Sequence, residues 1–119
     1  YKRQTMGWHT ARTIYHSGVE PVAHQVVAQL VEAEVVYLSL DIDVLDPACA
    51  PGTGTPEHGG LTARQCLEFL RIIFNELPVK AMDIVEISPP LDVSDMTALA
   101  GLKIIYEVFG FVQQRTLKV

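Results

Sequence analysis

Asp41 and Asp43 stand one residue apart at the end of an apolar, β-branched run, Val35-Val36-Tyr37-Leu38-Ser39-Leu40. In an extended chain, residues i and i+2 point to the same side, so both carboxylates would leave the strand together. Two anions that close repel each other, and a cation or a shared proton relieves the repulsion. A metal ion is the first reading. Glu86 lies near the end of a second strand candidate, Val79–Ile87, and the Ser88-Pro89-Pro90 that follows forbids further sheet pairing. If the two runs are neighbouring parallel strands, Glu86 opens onto the same crevice as the aspartates, where open α/β sheets place their ligands. Asp83, deeper in that strand, better fits a role in holding a neighbouring loop by hydrogen bonds.

The stretch after Asp43 suits a ligand site. Asp46-Pro47 and Pro51-Gly52-Thr53-Gly54-Thr55-Pro56 form a stiff, turn-rich loop, with Gly59-Gly60 as its flexible exit. Too poor in apolar side chains to pack as a core, such a loop brings backbone and hydroxyl groups close to a ligand. From spacing alone three readings compete. Phosphatases and phosphotransferases of the haloacid dehalogenase type carry Asp-x-Asp after an apolar strand. They also want Thr or Ser two residues later, whereas Val44-Leu45 follow here. Glycosyltransferases hold a metal and a sugar nucleotide with Asp-x-Asp, though rarely beside a Gly/Thr/Pro loop. The third reading is structural: two strand-end acids that cap loops and helix N-termini.

The elements that must position these residues alternate. Thr10–Tyr15 reads as a short strand, Tyr1–Gly7 as a helix tail closed by Gly7, and Trp8 as a packing residue. His9, His16 and His24 lack partners at ligand spacing and read as surface or hydrogen-bonded residues. Glu20-Pro21 opens a helix, with proline at the first helical position and Val22, Ala23, Val26, Val27 and Leu30 forming its apolar stripe. A strand over Val35–Asp43 follows. Thr62 and Gln65 have capping-box spacing, Leu61 and Cys66 that of a hydrophobic staple. Cys66, Leu67, Leu70, Ile73, Phe74 and Leu77 continue the stripe until Pro78 stops it, so Cys66 reads as core. After the second strand, Ser94 is a candidate cap for a last helix. Leu99, Leu102, Ile105, Val108 and Phe109 make its inward face, Gly110 its terminator, and Phe111–Val119 a tail. The alternation predicts an α/β fold with a mainly parallel sheet.

Composition bounds the rest. The 119 residues suffice for one small domain or part of a larger one, and 49% apolar content argues against disorder. A formal net charge of -5 with no Lys/Arg cluster argues against a nucleic-acid surface. No apolar run is expected to reach membrane-spanning length, and Tyr1-Lys2-Arg3-Gln4 does not lead into a signal-peptide core. Cys49 and Cys66 make no disulfide framework and read as thiols of a reducing cytoplasm. A chain that starts with Tyr and already looks mid-fold suggests a piece of a longer polypeptide.

The longer pattern is specific. Ser39-Leu40-Asp41-Ile42-Asp43-Val44-Leu45-Asp46-Pro47, then Ala50-Pro51-Gly52-Thr53-Gly54-Thr55-Pro56-Glu57 and Gly59-Gly60-Leu61-Thr62, closely resembles the ureohydrolases. That family includes arginase, agmatinase, guanidinobutyrase and formimidoylglutamase. Val85-Glu86-Ile87-Ser88-Pro89-Pro90, Asp92 and Thr97-Ala98-Leu99-Ala100 resemble it further on, and Ser-Pro-Pro after the Glu looks like the agmatinase branch. The resemblance implies a three-layer α/β/α fold and a two-manganese site that hydrolyses a guanidinium to urea and an amine, with agmatine the leading substrate. Asp41 and Asp43 match a late pair of metal ligands, Glu86 the carboxylate that pairs with the guanidinium, and Thr55 a possible substrate contact. His58 is atypical at its position. The family's Gly-Gly-Asp-His-Ser and Asp-Ala-His-x-Asp segments, with its proton-shuttling His, do not occur here. The chain therefore resembles the C-terminal part of a single ureohydrolase domain, residues 1–119, with no catalytic residue of its own. It is expected to be inactive alone and to bind manganese weakly. A non-catalytic partner subunit or pseudoenzyme is the alternative. Homo-oligomers and a cytoplasmic location are implied, without a nucleic-acid or membrane partner.

Overall fold

A computed structural model describes residues 7–117. Helices α1 (Ala11–Ser17) and α2 (Val19–Leu30) precede strand β1 (Val36–Asp41) and a 3-10 turn over Ile42–Val44. Helix α3 (Ala63–Glu76), strand β2 (Val79–Val85), a second 3-10 turn over Pro89–Leu91 and helix α4 (Met96–Leu117) complete the order. The two strands pair in parallel, with Leu40 opposite Ile84 and Asp41 opposite Val85. This is the expected α/β arrangement. All four helices join one core with the sheet, through Ile14, Val22, Leu40, Leu70, Phe74, Ile104 and Phe111. An almost unbroken apolar run implies a strand covered on both faces, yet within this chain Tyr37 and Ser39 of β1, which point away from that core, are exposed.

The N-terminal segment corrects the sequence reading. Thr10–Tyr15 is not a strand: α1 occupies it, because the Thr10 hydroxyl accepts the Thr13 amide at 3.1 Å and caps the first turn. Gly18, at φ 87°, ends α1 by donating to the Ile14 carbonyl and starts α2 one residue later. Pro21 is thus the third residue of α2 rather than the first, still within the turn whose amides have no helical acceptor. Trp8 does not pack; it is 80% exposed. The expected Tyr1–Gly7 helix tail falls, except for Gly7, outside the described residues. His24 is at the surface as expected, 3.1 Å from Glu76.

α3 follows its sequence signals closely. Thr62 and Gln65 form the reciprocal capping box, and Leu61 and Cys66 are both buried at staple positions. Burial pushes the Cys66 thiol up to about 11, so it is an inert core group.

α4 departs from its expected face, length and cap. Leu99, Leu102, Ile105 and Phe109 are exposed, while Thr97, Gly101, Ile104 and Phe111 are buried. The cause is Gly101, against which Ile87 packs so closely that a Cβ there would lie 2.6 Å from its Cδ1. That approach turns the 97/101/104/108/111 row inward, with the Phe74 and Phe111 rings 6.5 Å apart. Gly110 does not stop the helix. It runs on to Leu117, where Arg115 Nη1 donates to the Leu77 carbonyl at 2.6 Å and anchors the last turns. By length and composition alone this 22-residue helix is apolar enough to cross a membrane, contrary to expectation. One of its faces nevertheless packs on α3, and Lys103 pairs with Glu107 on it.

Candidate active site

The carboxyl end of the two-stranded sheet gathers the predicted residues. β1 stops at Asp41, so Asp43 is not the next outward residue of an extended strand. It lies in the 3-10 turn capped by Asp41, whose Oδ1 accepts the Asp43 amide at 3.1 Å. Ile42 between them is fully buried and pins the turn to the core. The two acids are therefore brought together by an aspartate-capped turn. Thr55 reaches the same place from the Gly/Pro loop, donating its hydroxyl to Asp43 Oδ2 at 2.8 Å.

Glu86 arrives from the neighbouring strand. Val85 pairs with Asp41, so Glu86 leaves the sheet one step beyond, on the side expected from the sequence. Its φ is 65°, a left-handed conformation rare for a side chain of this size. Such strain persists where the surroundings over-determine it, and both following residues are held. Ile87 seats on Gly101, and the Ser88 amide donates to the Gly52 carbonyl at 2.8 Å. Asp83 does not hold a loop. It accepts a hydrogen bond from the Tyr37 hydroxyl of the adjacent strand.

Electrostatics single out Asp41. Burial raises its carboxyl above the ordinary value, and the negative charges of Asp43 and Glu86 raise it further, while the Asp43 amide opposes them. An arrangement that makes a carboxylate hard to ionise is one that a bound cation would relieve. The donor set is chemically suited to manganese, a fairly hard cation served by carboxylate oxygen. It is also short: among the described residues no three His, Cys, Asp or Glu side chains cluster as a cage. The two aspartates thus fit the metal as part of a larger ligand set.

Two residues matter more than the sequence suggested. Asp46 clips the loop at both ends, its Oδ1 accepting the Ala48 amide and its Oδ2 the Gly59 amide, each at 2.9 Å. Those bonds hold the Asp46 carboxyl below the usual range. Stability from such a group is present above the unfolded value and lost as pH falls through the lower folded value. The loop is accordingly expected to loosen below about pH 4, seen as faster exchange of the Gly59 amide; an Asp46→Asn chain should show that exchange already at neutral pH. Asp92, rather than Ser94, caps α4, accepting the Thr97 amide at both oxygens and the Ala98 amide at one, all at 3.0 Å. Ser94 cannot serve because it and Asp95 both have positive φ. Burial opposes ionisation of Asp92, but the amide bonds outweigh it and its pKa is lowered.

The Arginase family model matches residues 1–110. The chain belongs to the arginase family. The guanidinobutyrase of Pseudomonas aeruginosa is 45% identical over 98 residues, 82% of this chain and 30% of that relative. The agmatinase of Proteus mirabilis is 46% identical over 98 residues, 82% of this chain and 31% of its own length. Among solved structures, a hypothetical agmatinase from Burkholderia thailandensis superposes with a TM-score of 0.84 at 30% identity. That match covers 100% of this chain and 38% of the other. Arginase from Bacillus caldovelox gives 0.80 at 34% identity, over 86% and 34%. The chain thus spans about a third of the relatives it matches, and it has the arginase-like α/β fold of a ureohydrolase.

Proposed function

We propose that residues 1–119 form the C-terminal part of one ureohydrolase domain and supply the carboxylates of a manganese-dependent site that splits a guanidino compound into urea and an amine. The observation that carries this reading is the parallel register that sets Asp41 opposite Val85 and so brings Asp41, Asp43 and Glu86 to one sheet end. The relatives' names, guanidinobutyrase and agmatinase, support the substrate class, and agmatine, giving putrescine and urea, is the substrate proposed first. Asp41 and Asp43 would hold manganese, which when bound supplies Lewis acidity for activating water. Glu86 presents a carboxylate to the planar fork of a guanidinium, two parallel N–H bonds fixing where its carbon lies. Thr55, through its bond to Asp43, holds the loop against that carboxylate and contributes a hydroxyl at the rim.

The alternative reading is a non-catalytic partner subunit. The deciding experiment expresses the whole open reading frame containing this chain and assays urea release from agmatine, guanidinobutyrate and arginine with Mn²⁺. Activity that falls together with bound manganese in Asp41→Asn and Asp43→Asn, with affinity weakened by at least about 10- to 100-fold, supports the hydrolase. No urea from any substrate, with wild-type manganese content in both variants, would favour the subunit. The 119-residue chain alone should release no urea and hold manganese weakly.

A further inference from the structure

We infer that Thr97 is a positioning residue: through Gly52 and Asp92 it locks the loop carrying Thr55 to the strand exit carrying Glu86. This rests on the hydrolase reading above for its consequence in catalysis, and on the structure alone for the lock. Thr97 lies on the first turn of α4 and is completely buried. A hydroxyl shut away from water needs a partner. Here the partner is the Gly52 amide.

The Gly52 amide donates to Thr97 Oγ1 at 2.6 Å across 45 residues of sequence. The Thr97 backbone amide donates to both Asp92 carboxylate oxygens at 3.0 Å. Asp92 is fixed in turn by the amides of Val93, Thr97 and Ala98. Gly52 has no room for any side chain, since a Cβ would lie 2.5 Å from Asp92 Cβ and 2.6 Å from its Cγ. Its carbonyl receives the Ser88 amide at 2.8 Å, two residues beyond Glu86. Two bonds from one glycine therefore join three segments: the loop, the start of α4 and the exit of β2. Gly54, two residues on, approaches to where a Cβ would be 4.0 Å from Glu86 Oε2.

The consequence follows from geometry. Glu86 holds a left-handed φ and has no hydrogen bond of its own among the described residues that would fix its carboxylate. Its position is inherited from Ile87 on Gly101 and from Ser88 on Gly52. Removing the Thr97 hydroxyl strands the buried Gly52 amide and releases one of those two fixed points. A guanidinium fork needs both carboxylate oxygens in place, so slack at Ser88 weakens substrate binding before it affects the metal.

The test compares Thr97→Val, equal in shape but without the hydroxyl, with Thr97→Ser, which keeps it. In the 119-residue chain, amide hydrogen exchange at Gly52 and Ser88 should accelerate together by about 10-fold or more in Thr97→Val and stay near wild type in Thr97→Ser. In the polypeptide from the whole reading frame, Thr97→Val should raise KM for the guanidino substrate by about 10-fold, with manganese content unchanged and kcat altered less. Thr97→Ser should restore KM. A role in stability alone would lower Tm while leaving KM and the Ser88 exchange untouched, and that result overturns the proposal. Should Thr97→Val fail to fold, Thr97→Ala, which also removes the hydroxyl that receives the Gly52 amide, replaces it; wild-type KM and wild-type Ser88 exchange there would be equally fatal. If the wild-type polypeptide releases no urea, the hydrolase reading fails by itself. Coupled exchange at Gly52 and Ser88 then still decides for or against the lock.

Discussion

On the proposed hydrolase reading, replacing Glu86 by glutamine is expected to lower kcat/KM for a guanidino substrate by about 30- to 4,000-fold, with manganese content unchanged. That magnitude follows from breaking one partner of a hydrogen-bonded charge pair, which costs about 2–5 kcal/mol, at about 1.4 kcal/mol per factor of ten. Glutamine keeps the shape but turns one acceptor into a donor, so one of the two N–H groups of the substrate fork faces an N–H. Because the pair also orients the carbon to be attacked, kcat should fall with the rise in KM. The fold offers an internal control. Glu86 sits at φ 65°, a conformation that costs a non-glycine residue about 1 kcal/mol or more and a glycine nothing. Glu86→Gly should therefore hold or raise the Tm while losing at least as much activity as Glu86→Gln. A variant that is more stable and less active shows that this position is kept for chemistry. If Glu86→Gln kept a wild-type KM, the guanidinium would have to be held elsewhere.

Legibility in the sequence tracked how local each cause is. Thr62 with Gln65, and Leu61 with Cys66, state a helix start within six residues, and α3 begins where they place it. The apolar runs before Asp41 and Glu86 were equally plain, because a strand that enters a core must be apolar whatever its neighbours. What depended on close approach between distant segments was not. Nothing near Gly101 in sequence announces that Ile87 will seat on it, yet that contact turns α4 and exposes the residues whose spacing looked inward. Thr10–Tyr15 carries two β-branched threonines and an isoleucine, and it became a helix because Thr10 could cap it and Gly18 could end it. The site itself was half legible. Asp41, Asp43, Glu86 and Thr55 stand out in the sequence as chemistry, and the parallel register sets Asp41 opposite Val85, one residue before Glu86. The reason Asp43 turns toward Asp41 was not visible, since a 3-10 turn capped by a side chain has the same Asp-Ile-Asp spacing as a strand. The roles of Asp46 and Asp92 depend on where the chain folds back: Asp46 meets the Gly59 amide 13 residues away, and Asp92 reaches the Thr97 and Ala98 amides across a turn with two positive φ angles.

Adding a single methyl at Gly60 should destabilise this chain more than the same change at its neighbour Gly59. The φ of Gly60 is not what forbids a side chain. A Cβ would stand 2.6 Å from the Asp46 amide nitrogen, 2.7 Å from the Leu45 carbonyl carbon and 2.9 Å from the Val44 carbonyl oxygen, all backbone atoms. Those atoms cannot swing aside, because Leu61 donates to the Val44 carbonyl at 2.8 Å and Asp46 donates to the Leu61 carbonyl at 2.9 Å. Relief of the clash must lengthen both bonds and withdraw Leu45 and Leu61, which are 1% and 6% exposed, from the core. Two strained hydrogen bonds and a loosened apolar pair together are worth about 2–4 kcal/mol, a fall in Tm of about 8–15 °C at this size. Gly59 beside it supplies the contrast. It has φ 89° and nothing within 4 Å of where a methyl would stand, so Gly59→Ala meets only the left-handed backbone penalty, about 1 kcal/mol. Thermal unfolding of the two variants separates steric closure from backbone strain. Gly60→Ala should lose at least twice what Gly59→Ala loses, and equal losses would mean that the Val44–Leu61 junction yields. The same junction holds the start of the loop that brings Thr55 to Asp43, so Gly60→Ala should also speed the exchange of the Gly59 and Leu61 amides, while Gly59→Ala leaves Leu61 protected.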